Sequence, residues 1–229
     1  IHRARVSPRK SKIVGLRCSV PVQAVIVAPG SPYEYPGDLA GEMVAVNFHT
    51  GSHYGAIHML GGHLLKEQIN LVHMGGPRSR WDALLKGEIA ATPMMEPWIS
   101  FALKAGGKIL AESRYRGSEV VTWDTTPDQV HAFGRALNRA VADFNARPSA
   151  FIHHILEDLP GDLGRLEPHE FGVHRLRYLP LRPYPKSEFK RTYQWLLNWD
   201  LIDGGLAYED VVDPSCFMPD QGLMVLVTS

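Results

Sequence analysis

Two cysteines, Cys18 and Cys216, are too few among 229 residues for a disulfide framework. They leave the redox compartment open. No apolar run approaches the roughly 20 residues that a membrane-spanning helix needs. Neither sign of charge prevails: Lys+Arg and Asp+Glu both number 24, so nothing in the balance points to nucleic acid or a lipid surface. Gly-x-Ser-x-Gly, Walker and Gly-x-Gly-x-x-Gly motifs are all missing, and no cofactor is implied. Residues 1–12 are basic and lack an apolar stretch, which excludes a secretory signal there. The chain opens on Ile rather than Met, as a fragment or a processed product would. What is present is ordinary: 45% hydrophobic and 21% charged residues, with enough chain for one large or two small domains around a core.

Along the chain, residues 12–19 and 22–28 read as strands, the second rich in Val and Ile and closed by Pro29-Gly30. A short helical turn at residues 35–39 precedes a strand at 43–47. Thr50-Gly-Ser-His-Tyr54 then turns into a helix over 52–64. Residues 69–74 form another strand, and Ser79-Arg-Trp-Asp82 has the spacing of a capping box. A buried strand over 89–92 follows, then a helix opened by Glu96-Pro97 with proline at its first position. Strands at 108–111 and 117–122 complete an alternation of strands and helices. That alternation predicts an α/β fold: a mostly parallel sheet flanked by helices on both faces. Beyond it, Thr126-Pro-Asp-Gln129 caps an amphipathic helix carrying Val130, Phe133, Leu137, Ala140, Val141 and Phe144 at three- and four-residue steps. Residues 151–156 are helical, 159–174 turn-rich, and 185–200 form a last helix with Phe189, Tyr193, Leu196 and Leu197 inward. No repeat or low-complexity tract interrupts the chain, and its composition shifts near residue 118.

Several of these segments carry a resemblance. Asp38-Leu-Ala-Gly41 with Val44-Ala-Val-Asn47, the turn Thr50–Tyr54, Trp81–Ala91, Glu96-Pro-Trp98, the long helix at 128–145, and Tyr193-Gln-Trp-Leu with Tyr208–Asp213 stand in order. In order and spacing the sequence resembles the substrate-binding proteins of ABC importers, in the nitrate/sulfonate/taurine group that includes thiamine-pyrimidine-precursor proteins. The likeness covers about residues 12–215. It implies a periplasmic-binding-protein type II-like fold of two lobes. Residues 1–22 would form a crossover and remnant of the first lobe, 23–117 the second lobe, and 118–229 the C-terminal helical part of the first. The family's usual N-terminal half-lobe has no counterpart, so the first lobe is expected to be incomplete. The implied function is solute capture between lobes for an importer, the ligand being a sulfonate- or nitrate-like anion or a heteroaromatic compound. The implied partners are that small molecule and the transporter's membrane subunits, with no nucleic acid, and the chain itself would not span the membrane. Such a protein would be periplasmic, or extracellular and lipid-anchored. Two alternatives share the fold. One is a cofactor-free, cytoplasmic enzyme (a desulfinase, decarboxylase or pyrimidine-precursor synthase), and the other is a ligand-sensing domain.

The candidate ligand residues begin with Thr50, Gly51, Ser52 and His53. There a strand feeds a helix start whose unpaired N–H groups suit an anion. In the family this turn holds the ligand's polar head, whereas a bare capping role for Ser52 is the plainer reading. Glu96 and Trp98 follow a strand's carboxyl end, where open α/β sheets place ligands; they serve equally as a helix-dipole carboxylate and a core tryptophan. Arg78 and Arg80 follow Gly75-Gly76, and either could reach an anion. Cys18 and Ser19 stand at the presumed crossover, where a nucleophilic cysteine would need a base that the sequence does not identify. His49 and His53 are four apart but flank a non-helical turn, so no metal is expected. No residue is assigned a catalytic role.

Overall fold

Val22-Gln-Ala-Val-Ile-Val27 has four β-branched residues and a single polar one, and all six side chains are buried. A strand buried on both faces belongs in the middle of a covered sheet, and that is its place in the computed structural model, which describes residues 10–214. The strands are β1 (Ser11–Leu16), β2 (Val22–Val27), β3 (Met43–Val46), β4 (Asn70–His73), β5 (Thr92–Met94), β6 (Lys108–Arg114) and β7 (Ser118–Thr122). The α-helices are α1 (Gly51–Leu60), α2 (Pro77–Leu85), α3 (Trp98–Lys104), α4 (Pro127–Ala146), α5 (Ile152–Leu156) and α6 (Lys186–Asn198). Two units share them. One holds residues 19–116 and 143–178; the described part of the other holds 10–18, 117–142 and 179–214. Residues 118–229, expected to go together, are thus divided, with 143–178 joining the α/β unit.

In the α/β unit the strands lie in the order β4-β3-β5-β2-β6. β3 and β4 pair in parallel, and β2 pairs antiparallel with both β5 and β6. A parallel bridge, Val44 to Ala91, joins the halves, with Ala45 N–H donating to Ala91 O at 3.0 Å and Thr92 Oγ1 to Ala45 O at 2.9 Å. Four strands therefore run one way and β2 runs against them. That shared direction is what a mostly parallel sheet would have, but β2, one place in from the β6 edge, makes both of its own pairings antiparallel. Alternation along β2 divides the core. Val22, Ala24 and Ile26 meet Trp81, Leu84, Trp98 and Ile99 on one face; Val25 and Val27 meet Leu39, Met59, Leu60 and Leu64 on the other. Ile152, Leu159, Leu166 and Phe171 belong to the first cluster, which is why 143–178 keep company with this unit.

Some expected boundaries move. Ser79 caps nothing: α2 begins at Pro77 behind Gly76, leaving Ser79 inside the helix. Proline at the start of a helix needs no N–H of its own, so the earlier start costs nothing. Pro97 is the N-cap of α3 rather than its first residue, and the strand expected at 89–92 lies at Thr92–Met94.

The second unit pairs β1 with β7 antiparallel. Bridges from Ile13 to Val212 and from Leu16 to Arg182 extend this ladder, and Lys12 Nζ reaches Asp213 Oδ2 at 2.9 Å. Its core is Ile13, Leu16, Tyr184, Phe189, Val211 and Val212. The capping box at Thr126 forms in both directions: Gln129 Oε1 accepts the Thr126 N–H at 2.9 Å, and Thr126 Oγ1 accepts the Gln129 N–H at 3.3 Å. Along α4 the buried line is Val130, Gly134 and Val141. Phe133 and Ala140, expected inward, are exposed, because Gly134, against Leu181, takes the place that the apolar spacing gave to Phe133.

Candidate functional site

The chain leaves β3 through α1 to reach β4 on one side, then returns through α2 to β5 on the other. The helices after β3 and β5 pack on opposite faces of the sheet, which makes the carboxyl ends of these two strands a topological switch point. Open α/β sheets bind ligands at such switch points. Into this one project the turn 47–52 after β3, the segment after β4 that leads into α2, and Met95 after β5.

The turn is tied to itself. Thr50 Oγ1 donates to Asn47 O at 2.7 Å and lies 3.0 Å from Ser52 Oγ, which accepts the Asn47 N–H at 2.9 Å. Thr50 is the N-cap of α1, yet its hydroxyl makes no cap bond. Ser52 sits at the second helical position, so its hydroxyl closes the loop rather than capping the helix. The N–H groups of Gly51 and Ser52 meet no acceptor among the described residues. From α2, Arg80 donates through Nη1 to Ser52 Oγ at 3.1 Å. Arg80 is only 5% exposed, its Nε has no partner, and it makes no ion pair among the described residues. Burial without a counter-charge pulls its pKa down to about 10. A buried cation beside two open helix N–H groups is a place for a negative charge.

His53 is buried beside Ser52 and faces back along the turn. Its Nδ1 accepts the N–H of His49 at 3.3 Å, and His49 itself occupies the left-handed region at φ 61°. The neighbouring Phe48 N–H donates to His73 Nδ1 at 3.1 Å. Burial, with the nearby His49, lowers the His53 pKa below its usual 6.5. The neutral ring is therefore the one that accepts the bond and holds the strained residue. Among the described residues, no three of His, Cys, Asp and Glu gather as metal ligands would.

The other candidates lie in different surroundings. Arg78 is committed to two carboxylates, with Nε at 2.9 Å from Asp82 Oδ2 and Nη1 at 2.8 Å from Asp162 Oδ2. An arginine so neutralised offers an anion little, and Arg80 takes the place given to it. Glu96 has a side chain 1% exposed that accepts from Ser100 N–H at 3.1 Å, Ser100 Oγ at 2.9 Å and Arg175 Nη1 at 3.2 Å. It fastens the start of α3 to the 172–175 segment, and its burial closes it off from a ligand amine. Trp98 is a core residue, edge-on to Phe101 at 5.9 Å between centroids. Cys18 is a buried thiol of the second unit, its carbonyl accepting from Leu179 N–H at 2.9 Å. Ser19 belongs to the α/β unit and bridges Tyr178. Cys216 lies outside the described residues. The sequence thus brings Thr50, Gly51, Ser52 and His53 together but not the rest. It also gave no weight to Gln23 and Tyr115, which touch the same turn; a lone glutamine in an apolar strand was the available signal.

No protein-family model and no curated protein matches the chain. Solved structures do. The alkanesulfonate-binding protein SsuA of Xanthomonas axonopodis pv. citri, bound to MOPS, superposes with a TM-score of 0.70 at 16% identity, covering 88% of this chain and 73% of its own. The periplasmic aliphatic sulphonate-binding protein SsuA of Escherichia coli gives 0.70 at 17% identity, covering 99% and 76%. The desulfurization enzyme DszB gives 0.62 at 17%, covering 92% and 78%. The chain therefore has the α/β fold of the periplasmic solute-binding proteins.

Two outcomes follow from the geometry. Replacing Arg80 by Met removes an uncompensated buried charge and should raise the unfolding free energy of the ligand-free protein by about 1–3 kcal/mol in urea titrations. A loss of stability of that size would show that Arg80 is compensated. For His53 the folded-state pKa is below the unfolded value, so the unfolded chain binds protons first. Its contribution is complete above about pH 6.5 and is lost as pH falls below that. The His53→Asn variant should show a flatter decline of denaturation midpoint between pH 7 and 5.

Proposed function

We propose that this chain is the solute-binding component of an ABC importer and that its ligand is a small anion with a sulfonate-like head group. The observation that carries this is Arg80, a guanidinium 5% exposed with an unpartnered Nε, set against the open first turn of α1 at the switch point. Such a group does not contribute to stability, since burying a charge without a partner costs several kcal/mol. An anion at the turn would supply the partner and accept the Gly51 and Ser52 N–H groups at once. The fold shared with the two SsuA proteins supports a binder, and what they bind supports a sulfonate. Thr50 and Ser52 hold the turn in shape, and His53 holds its strained neighbour. In this reading the partners are the importer's membrane subunits, and the protein works on the outer side of the membrane. None of the helices among the described residues is long and apolar enough to cross it.

The neighbour DszB favours a second reading, an enzyme with Cys18 as nucleophile. Against it, Cys18 is 5% exposed, and a thiol buried in apolar surroundings is held in its unreactive protonated form.

A thermal-shift series separates ligand classes. An alkanesulfonate at about 100 times its dissociation constant adds roughly 2.7 kcal/mol to stability and should raise the melting temperature by several degrees. Nitrate, carboxylates and pyrimidines should raise it less. If none of the sulfonates moves the transition, the proposal is wrong. In a Cys216→Ser background, Cys18 should react with iodoacetamide only as fast as the protein unfolds. Rapid alkylation at pH 7 that a sulfinate or sulfonate suppresses would instead favour the enzyme.

A further inference from the structure

The helix that opens the anion site is notched. Gly51 and Gly55 stand one turn apart on α1, in the stretch Gly51-Ser-His-Tyr-Gly55, and both face Gln23 of β2. A Cβ on Gly55 would overlap Gln23 Oε1, and one on Gly51 would lie 3.2 Å from Gln23 Nε2 and 3.0 Å from the Tyr115 hydroxyl. The helix thus lies directly on the amide, which is 2% exposed. Two glycines make that approach feasible.

The orientation of the amide runs against what an empty helix start would favour. Its carbonyl oxygen is turned toward Gly55 and has no hydrogen-bond partner. Its NH2 is turned toward Gly51, where two backbone N–H groups and the Arg80 guanidinium already gather as donors. Neutral glutamine could relieve this crowding by presenting its oxygen to the turn. As arranged, β2, α1 and α2 each bring donors to residues 51–52, and the amide brings no acceptor. An unpaired buried carbonyl and a surplus of donors are both unfavourable on their own. The surplus of donors describes a site completed by a group that only accepts, and the unpaired carbonyl is the cost of holding the amide in that orientation.

We infer that Gln23 is a specificity-determining residue of the ligand site, its Nε2 donating to a third oxygen of the head group. The inference rests on the anion-binding reading above and narrows it. A head group with three terminal oxygens can take one donor set from each of three elements: Arg80 from α2, the Gly51 and Ser52 N–H groups from α1, and Gln23 from β2. A planar carboxylate has two oxygens and leaves one set unmet. The site therefore selects a sulfonate over a carboxylate of the same chain length, and Gln23 is where the selection is made.

The test is calorimetric titration of the full chain with butane-1-sulfonate and with pentanoate, which share a four-carbon tail. Wild-type protein should bind the sulfonate more tightly. Gln23→Met keeps the length of the side chain without a donor. It should weaken sulfonate binding about tenfold or more and leave pentanoate nearly unchanged, so that the preference closes. Gln23→Glu, which places a carboxylate in the same notch, should abolish sulfonate binding while circular dichroism shows the fold intact. A Gln23→Met variant that retains the full preference, or weakens both ligands equally, overturns the role given to Gln23 and leaves the anion-binding reading standing. Wild-type protein that binds neither compound overturns both. Should Gln23→Met fail to fold, the Gln23→Glu titration decides alone: sulfonate affinity retained in that variant overturns the inference.

Discussion

The hydrogen bond from Arg80 Nη1 to Ser52 Oγ, 3.1 Å long and buried, is what the site depends on. It brings a positive charge from the start of α2 to the start of α1, and it is the charge's one protein partner among the described residues. Around it, Ser52 Oγ also accepts from the Asn47 N–H and lies at hydrogen-bond distance from the Thr50 hydroxyl. The same oxygen therefore fixes the turn and the cation. Water would stabilise a guanidinium far better than one hydroxyl does. In the proposed reading the arrangement waits for a counter-charge, with pre-organisation supplied by the turn rather than by the ligand.

The sheet makes the site possible by its connections rather than by its composition. β3 and β5 are neighbours through a single bridge, Val44 to Ala91, and their outgoing chains diverge to opposite faces. Thr92 at the head of β5 is fully buried and holds Ala45 O, so the two strand ends keep a fixed spacing at the switch point. β2 runs the other way between β5 and β6 and lays Gln23 under α1. Gln23, second in an otherwise apolar strand, is buried there with its carbonyl unpaired.

Two of the carboxylate–arginine groupings illustrate why residue type does not settle role. Arg78 and Arg80 are two positions apart on one helix and point differently. Arg78 finds Asp82 four residues on and Asp162 across from it, whereas Arg80 finds a serine. Glu96 looked open for a ligand at a strand end, yet Arg175, 79 residues later, closes it. Asp82 is a local partner, but Asp162 and Arg175 come from the 143–178 segment, whose docking is decided by Ile152, Leu159, Leu166 and Phe171 entering the shared core.

The local physics was legible in the sequence. β-branched residues marked β2 and β3, the Thr126–Gln129 spacing marked a capping box that forms in both directions, and the small polar turn at residues 50–54 marked the helix start. All of these depend on interactions within a few residues. Tertiary structure decided what depends on distant partners: the direction of β2, the allegiance of residues 143–178, and the choice of Arg80 over Arg78. It also decided the contact of Gln23 with Gly51 and Gly55, since a notch in a helix has meaning only once a particular strand is laid against it.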